Sequence, residues 1–224
     1  MLPLLTLIGG VPLKLVTGTD LVHVLVTSAT STISHYRRGM VDTKIGIFLG
    51  LAGIAGGLLG SVLSVPLSPY VLRVVYLSVV GLGAIILFLP APLEFEGYRK
   101  GNFNRALGIA IGLGVGALAG LLGVGGGFIT VPLMTYFLRI PLRVAIGTSL
   151  LFIFITSLGT IWAKIGVGHI HASITLLVLS GSITGALIGP SVSRRMPVRL
   201  LRLALIVLLI LILAVFGYKT FLRS

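Results

Sequence analysis

Four apolar runs, Ile45–Val65, Val71–Leu89, Ile174–Val192 and Leu200–Phe216, each extend over about 17–21 residues. A helix needs ~20 residues to cross ~30 Å of hydrocarbon. Only 9% of the 224 residues are charged against 56% apolar, too little charge to clothe a water-soluble surface. Lipid is the solvent this composition fits. The expected fold class is all-α: a polytopic membrane protein of about seven to eight transmembrane segments.

The net charge of +13 arises from 17 Lys and Arg against 4 Asp and Glu. In a soluble protein such an excess points to nucleic acid. Here the pairs Arg37–Arg38, Arg99–Lys100 and Arg194–Arg195 sit between apolar runs, where basic residues set topology and meet anionic head groups. The lipid bilayer is the expected partner, and nucleic acid is not. There is no cysteine, so disulfides and thiolate metal sites are excluded. The first apolar segment lacks the basic start of a cleavable signal peptide.

The second half repeats the first at a constant offset of 129 residues. Pro3 pairs with Pro132, Pro12–Leu13 with Pro141–Leu142, Gly18–Thr19 with Gly147–Thr148, and Thr27–Ser28 with Thr156–Ser157. Gly56 and Gly60 pair with Gly185 and Gly189, and Leu72–Arg73 with Leu201–Arg202. Ungapped matches of Pro, Gly and Thr-Ser mark a duplication, the usual plan of secondary transporters. The expected organisation is a first repeat over residues 1–92, a polar loop over 93–104 and a second repeat over 105–224, together one transmembrane domain. Nothing in 1–92 corresponds to Arg105–Ile129, so the first repeat as given lacks its first helix: either the chain begins upstream or this version has lost it. A groove beside Met1–Leu5 would mark a missing helix, and a fully packed repeat a natural shorter variant.

Gly123-Val-Gly-Gly-Gly127 puts four glycines in five residues, a high cost for a continuous helix. The reading is a full helix over Ala106–Leu122 followed by a partly re-entrant half-helix over Phe128–Leu138. If these make a hairpin, Arg37, Arg38, Lys44, Arg99, Lys100, Arg105, Arg139, Arg143, Arg194, Arg195, Arg199 and Arg202 share one side. Lys14, Arg73, Lys164, Lys219 and Arg223 then lie opposite, 12 against 5. A single crossing gives 9 against 8. The positive-inside rule selects the hairpin, which makes the two repeats inverted in the membrane.

Gly120-Leu-Leu-Gly-Val-Gly-Gly-Gly-Phe-Ile-Thr-Val-Pro-Leu133, followed by Ala145-Ile-Gly-Thr-Ser149, resembles the signature of the sulfite exporter TauE/SafE permease family. Thr17-Gly-Thr-Asp-Leu21 and Ser34-His-Tyr-Arg-Arg-Gly-Met-Val-Asp42 are similar to that family's matching stretches in its first repeat. The resemblance implies a multi-pass permease of a bacterial or archaeal inner membrane that exports a small anion, such as sulfite or an organosulfonate.

Several residues are candidates for substrate contact. Gly123, Gly125, Gly126 and Gly127 would expose a half-helix N-terminus, whose partial positive charge attracts an anion, with Pro132 following. The same glycines would equally permit close helix packing. Thr19, Thr27 and Ser28, with their mates Thr148, Ser149, Thr156 and Ser157, would donate to sulfonate oxygens or bond back to the preceding turn. Asp20 and His23 share a helix face and are proton-coupling candidates; the alternative for Asp20 is an N-terminal cap at Thr17–Asp20. No catalytic set, cofactor or metal site is expected, and a homo-oligomer is left open. An intramembrane protease would need a second membrane carboxylate or a Gly-x-Ser-Gly. Gly147-Thr-Ser-Leu150 does not supply the latter. A passive anion channel is the closer rival.

Overall fold

The computed structural model describes residues 13–89, 98–122, 126–164 and 172–222, and among these every regular element is an α-helix. The elements are α1 (Leu13–Tyr36), α2 (Thr43–Leu63), α3 (Pro69–Phe88), α4 (Arg105–Leu122), α5 (Gly127–Phe137), α6 (Leu142–Lys164), α7 (Ala172–Arg195) and α8 (Val198–Leu222). α2, α3, α4, α6 and α8 are long and apolar enough to cross a membrane. α1 and α7, at 24 residues each, have the length but a more polar sequence. α5 has 11 residues, about 16 Å, half a membrane.

Three helix starts recur at the offset read from the sequence. Leu13 opens α1 and Leu142 opens α6; Thr43 opens α2 and Ala172 opens α7; Pro69 opens α3 and Val198 opens α8. The paired helices run in opposite senses, because hydrogen bonds gather one set of loops at a single end of the bundle. There the Arg38 guanidinium reaches Ser191 on α7, Lys100 Nζ donates to the Gly39 carbonyl, and Arg143 donates to the Met196 carbonyl. α1 and α7 therefore finish at this basic end, whereas α2, α4, α6 and α8 begin there.

Arg202 shows why these cations sit at helix ends. Its Nε donates to Leu87 O at 2.7 Å and its Nη2 to Leu89 O, closing two carbonyls that α3 leaves open at its C-terminus. Arg202→Gln should lower stability by about 1–3 kcal/mol, with Lys recovering only part because it cannot fork across both oxygens. Thermal unfolding of the purified variants in one detergent would show it; an unchanged midpoint would mean that water serves these carbonyls equally well.

The tightest packing joins α2 to α4, which run parallel. Gly112 lies against Leu49, Gly116 against Gly53, and Gly120 against Gly57, backbone to backbone. A Cβ at Gly56, Gly60, Gly116 or Gly120 would overlap a carbonyl oxygen of the other helix. Glycine is needed here for close approach, as in small-xxx-small membrane contacts.

The expected break falls where the glycines lie. α4 stops at Leu122, Gly126 takes φ +64, and α5 starts at Gly127. Gly126 returns against Val115 and Ala119 of α4, so the segment is a hairpin. Gly123 and Gly125 lie outside the described residues, as do Met1–Leu5 and the groove expected beside them. One expectation is overturned: Thr17–Asp20 does not start a helix. α1 is helical from Leu13, which puts Asp20 in its third turn, where no free N-terminal amide remains for it to cap.

Candidate functional site

The half-helix fixes the depth of the candidate site. Val115 is ten residues along α4 from Arg105, about 15 Å from the basic end, so α5 starts near the middle of a ~30 Å hydrocarbon layer. The amides of Ile129 and Thr130 turn onto Gly126 O at 3.3 and 3.2 Å, and Thr130 Oγ1 donates to the same oxygen at 2.8 Å. Pro132 has no N–H to offer the Phe128 carbonyl one turn earlier. The wall around the half-helix start is apolar, with Ile153 of α6 against Gly127 and the Tyr76 ring edge-on to Phe128 at 5.6 Å.

By helical spacing, α6 carries two hydroxyls on the face that meets it. Ser149 and Ser157 lie four residues either side of Ile153, on the α6 face that meets Gly127. Both are buried, and Ser149 Oγ also donates to Ile146 O at 2.8 Å. The neighbouring hydroxyls face elsewhere. Thr156 Oγ1 is buried toward Gly53 of α2 with no hydrogen-bond partner, and Thr148 Oγ1 accepts from the Asp42 amide. On α1, Thr27 and Ser28 donate to His23 O and Leu25 O of the preceding turn. Six of the named hydroxyls thus divide: Ser149 and Ser157 beside the half-helix, Thr148 in the basic-end scaffold, Thr156 toward α2, and Thr27 and Ser28 bonded locally. Thr19 and Asp20 are on α1, and their side chains lie outside the description.

His23 Nε2 lies 2.6 Å from Ser182 Oγ on α7. The offset of 129 gives this pair a counterpart, since His23 matches Phe152 and Ser182 matches Gly53. Phe152 does pack on Gly53, ring against α-carbon. Both pairs join one repeat to the other, but the α1–α7 contact is polar where the matching α2–α6 contact is apolar. Ser182 was not among the candidates; comparing mates across the repeat is the signal that finds it.

A second polar centre went unread in the sequence. Asp42, only 1% exposed, caps α2 by accepting from the Ile45 amide at 3.1 Å. Its other oxygen accepts from Tyr98 Oη at 2.7 Å and from the Gly101 amide at 2.6 Å. Its own N–H donates to Thr148 Oγ1 at 2.9 Å. Burial, with the Asp42 carboxylate beside it, holds the Tyr98 phenol above its ordinary range. Asp42, through its carboxylate and its own amide, so ties the α1–α2 turn, the central loop and α6 together. Beside it, His35 donates through Nδ1 to Ser31 O at 3.0 Å while its buried Nε2 has no partner. Among the described residues no group of three or more His, Cys, Asp or Glu is placed to hold a metal.

Inverted helix sets around a half-helix that ends at mid-depth are the architecture of a polytopic membrane transporter. The family model for the sulfite exporter TauE/SafE matches residues 1–216. The chain belongs to that family. It is 25% identical over 213 residues to the probable membrane transporter protein YunE of Bacillus subtilis, covering 87% of this chain and 77% of the relative. It is 28% identical over 211 residues to the probable membrane transporter protein YdhB of the same organism, covering 92% and 85%. A shorter match, 38% over 79 residues and about a third of each chain, is to the probable membrane transporter protein MJ0441 of Methanocaldococcus jannaschii. No solved structure matches. Family and relatives carry the names of transporters, not enzymes.

Proposed function

We propose that the chain is an inner-membrane permease of a bacterial or archaeal cell, exporting a small sulfur oxyanion such as sulfite or an organosulfonate. The observation that carries this reading is the α5 N-terminus at mid-depth, flanked on α6 by Ser149 and Ser157. Amide dipoles attract an anion there without the desolvation cost of a buried lysine or arginine. The twelve basic residues assigned to one side support a cytoplasmic position for that end, where they would concentrate anions before entry. The membrane potential then favours outward movement by ~2.3 kcal/mol per charge per 100 mV.

Purified chain in proteoliposomes loaded with sulfite, sulfoacetate or chloride tests the reading. Saturable efflux of a sulfur oxyanion over chloride is expected, reduced several-fold in Ser157→Ala at an unchanged unfolding midpoint. Non-saturating flux of all three anions would establish a channel instead.

Coupling to protons belongs to the same proposal, through Asp20 and His23. The double variant His23→Phe, Ser182→Gly writes the Phe152–Gly53 pair into the α1–α7 contact, so it has a packing precedent within the chain. It should fold and lose the response of flux to an imposed pH gradient, as should Asp20→Asn. A wild-type pH response in both would remove these residues from coupling.

A further inference from the structure

At the basic end two arginines from different helices hold the end of α7. Arg38 of α1 donates to Ser191 Oγ at 2.7 Å, and Arg143 of α6 donates to Met196 O at 2.7 Å. Arg38 also donates to Ser34 O and Ser34 Oγ. All these acceptors are neutral. Asp42 in the adjoining turn spends its carboxylate on the Ile45 and Gly101 amides and the Tyr98 hydroxyl. Beside the arginines lies His35, 5% exposed, its Cβ against α6 at Gly147. Arg38 is three residues from His35 along α1, and Arg143 four from Gly147 along α6, both toward the basic end. The ring and the two guanidiniums therefore share about one helical turn. Arg38 is close enough for its charge to act on the ring. His35 Nδ1 donates to Ser31 O, so the neutral ring keeps a lone pair at Nε2, which is buried and has no partner. Arg143 Nε is likewise buried with no partner. One acceptor and one charged donor are thus left open at the same level.

We propose that His35, Arg38 and Arg143 form an entry site for a small oxyanion that carries one hydrogen, such as hydrogen sulfite. Its charged oxygens take the two guanidiniums from Ser191 Oγ and Met196 O, because hydrogen bonds between charged partners are about twice as strong as those to neutral ones. Its O–H donates to the lone pair of His35 Nε2. A sulfonate has the same charge but no O–H, so it fills only the arginine half of the site. Both open atoms are closed to solvent while the arginines hold α7. The exchange of partners therefore also releases the end of α7 from α1 and α6, which admits the anion. The inference rests on the anion-permease reading, but it concerns the mouth of the pathway and not the half-helix.

Calorimetric titration of the purified full chain in lipid-free detergent and mildly acidic buffer compares sulfite with methanesulfonate and chloride. Sulfite should bind several-fold to about tenfold more tightly than methanesulfonate, the worth of one further hydrogen bond, and chloride most weakly. His35→Asn keeps a donor where Nδ1 stands and removes Nε2. It should bring sulfite down to the level of methanesulfonate and leave methanesulfonate unchanged. Arg143→Gln should weaken both by at least about tenfold; if that variant does not fold, His35→Asn decides alone. Equal binding of the two anions by the wild type, or a His35→Asn chain that keeps the preference, would overturn the proposal. So would loss of sulfite binding in nanodiscs containing phosphatidylglycerol, which would give the arginines to a lipid phosphate. Sulfite binding as described without any efflux from proteoliposomes would sink the permease reading and leave this site standing. Efflux with sulfite binding unaltered in His35→Asn and Arg143→Gln would do the reverse.

Discussion

Gly116→Ala should cost at least about 3 kcal/mol, while Gly114→Ala, two residues away on the same helix, should cost nothing. The new methyl at 116 would overlap the Gly53 carbonyl, and that neighbour is backbone, so relief requires α2 and α4 to separate along their whole seam. Overpacking typically costs about 1–3 kcal/mol, and more where nothing can yield. At Gly114 a Cβ meets nothing within 4 Å, and alanine favours helix over glycine by up to about 1 kcal/mol. Thermal unfolding in detergent separates the two, with Gly116→Ala expected to lose most of its folded yield. Equal midpoints would show that the α2–α4 contact is looser than described.

Asp42→Ala should be nearly as damaging, at about 3–5 kcal/mol. The helix cap accounts for about 1 kcal/mol, and the stranded Tyr98 hydroxyl and Gly101 amide for about 1–3 kcal/mol each, with some recovery through water. Tyr98→Phe and Thr148→Ala remove one bond each and should cost about 1–2 kcal/mol. Limited trypsin digestion adds a local readout. With Asp42 gone, the loop bearing Arg99 and Lys100 loses its anchor, and cleavage there should rise in the variant well below its unfolding temperature. Protection equal to wild type would show that other contacts hold the loop.

The elements legible in the sequence were those written in local pattern. Span length placed α2, α3, α4 and α7, and the start of α8, to within a few residues, because each apolar run must match the thickness of the bilayer. Four glycines in five residues marked the break between α4 and α5, since no other local explanation removes so much helix propensity at once. Asp42 shows the opposite case. Its place among basic residues suggests a solvated loop, yet its partners Tyr98, Gly101 and Thr148 lie 56, 59 and 106 residues away. No short-range pattern reports a bond of that reach. Asp20 was ambiguous for a related reason: Thr-Gly-Thr-Asp has the composition of a helix start, and only the position of Leu13 decides against it. The hydroxyls were found as a set, but their division among half-helix, scaffold and local bonding depends on which face of α6 meets Gly127.

The unequal pairs His23–Ser182 and Phe152–Gly53 bear on how long such a molecule waits on each side of the membrane. In a carrier with inverted halves, opening inward and opening outward are the same event performed by exchanged partners. Perfectly identical halves would make the two resting states isoenergetic, and an empty carrier would divide its time evenly between them. A hydrogen bond made at the α1–α7 contact and not at its α2–α6 counterpart ends that degeneracy. At a net value of about 1 kcal/mol it changes the ratio of the two populations roughly fivefold. If the proposed permease works as a rocker of this kind, the bond between His23 and Ser182, made at one of its two repeat-related contacts, gives it a side on which to rest.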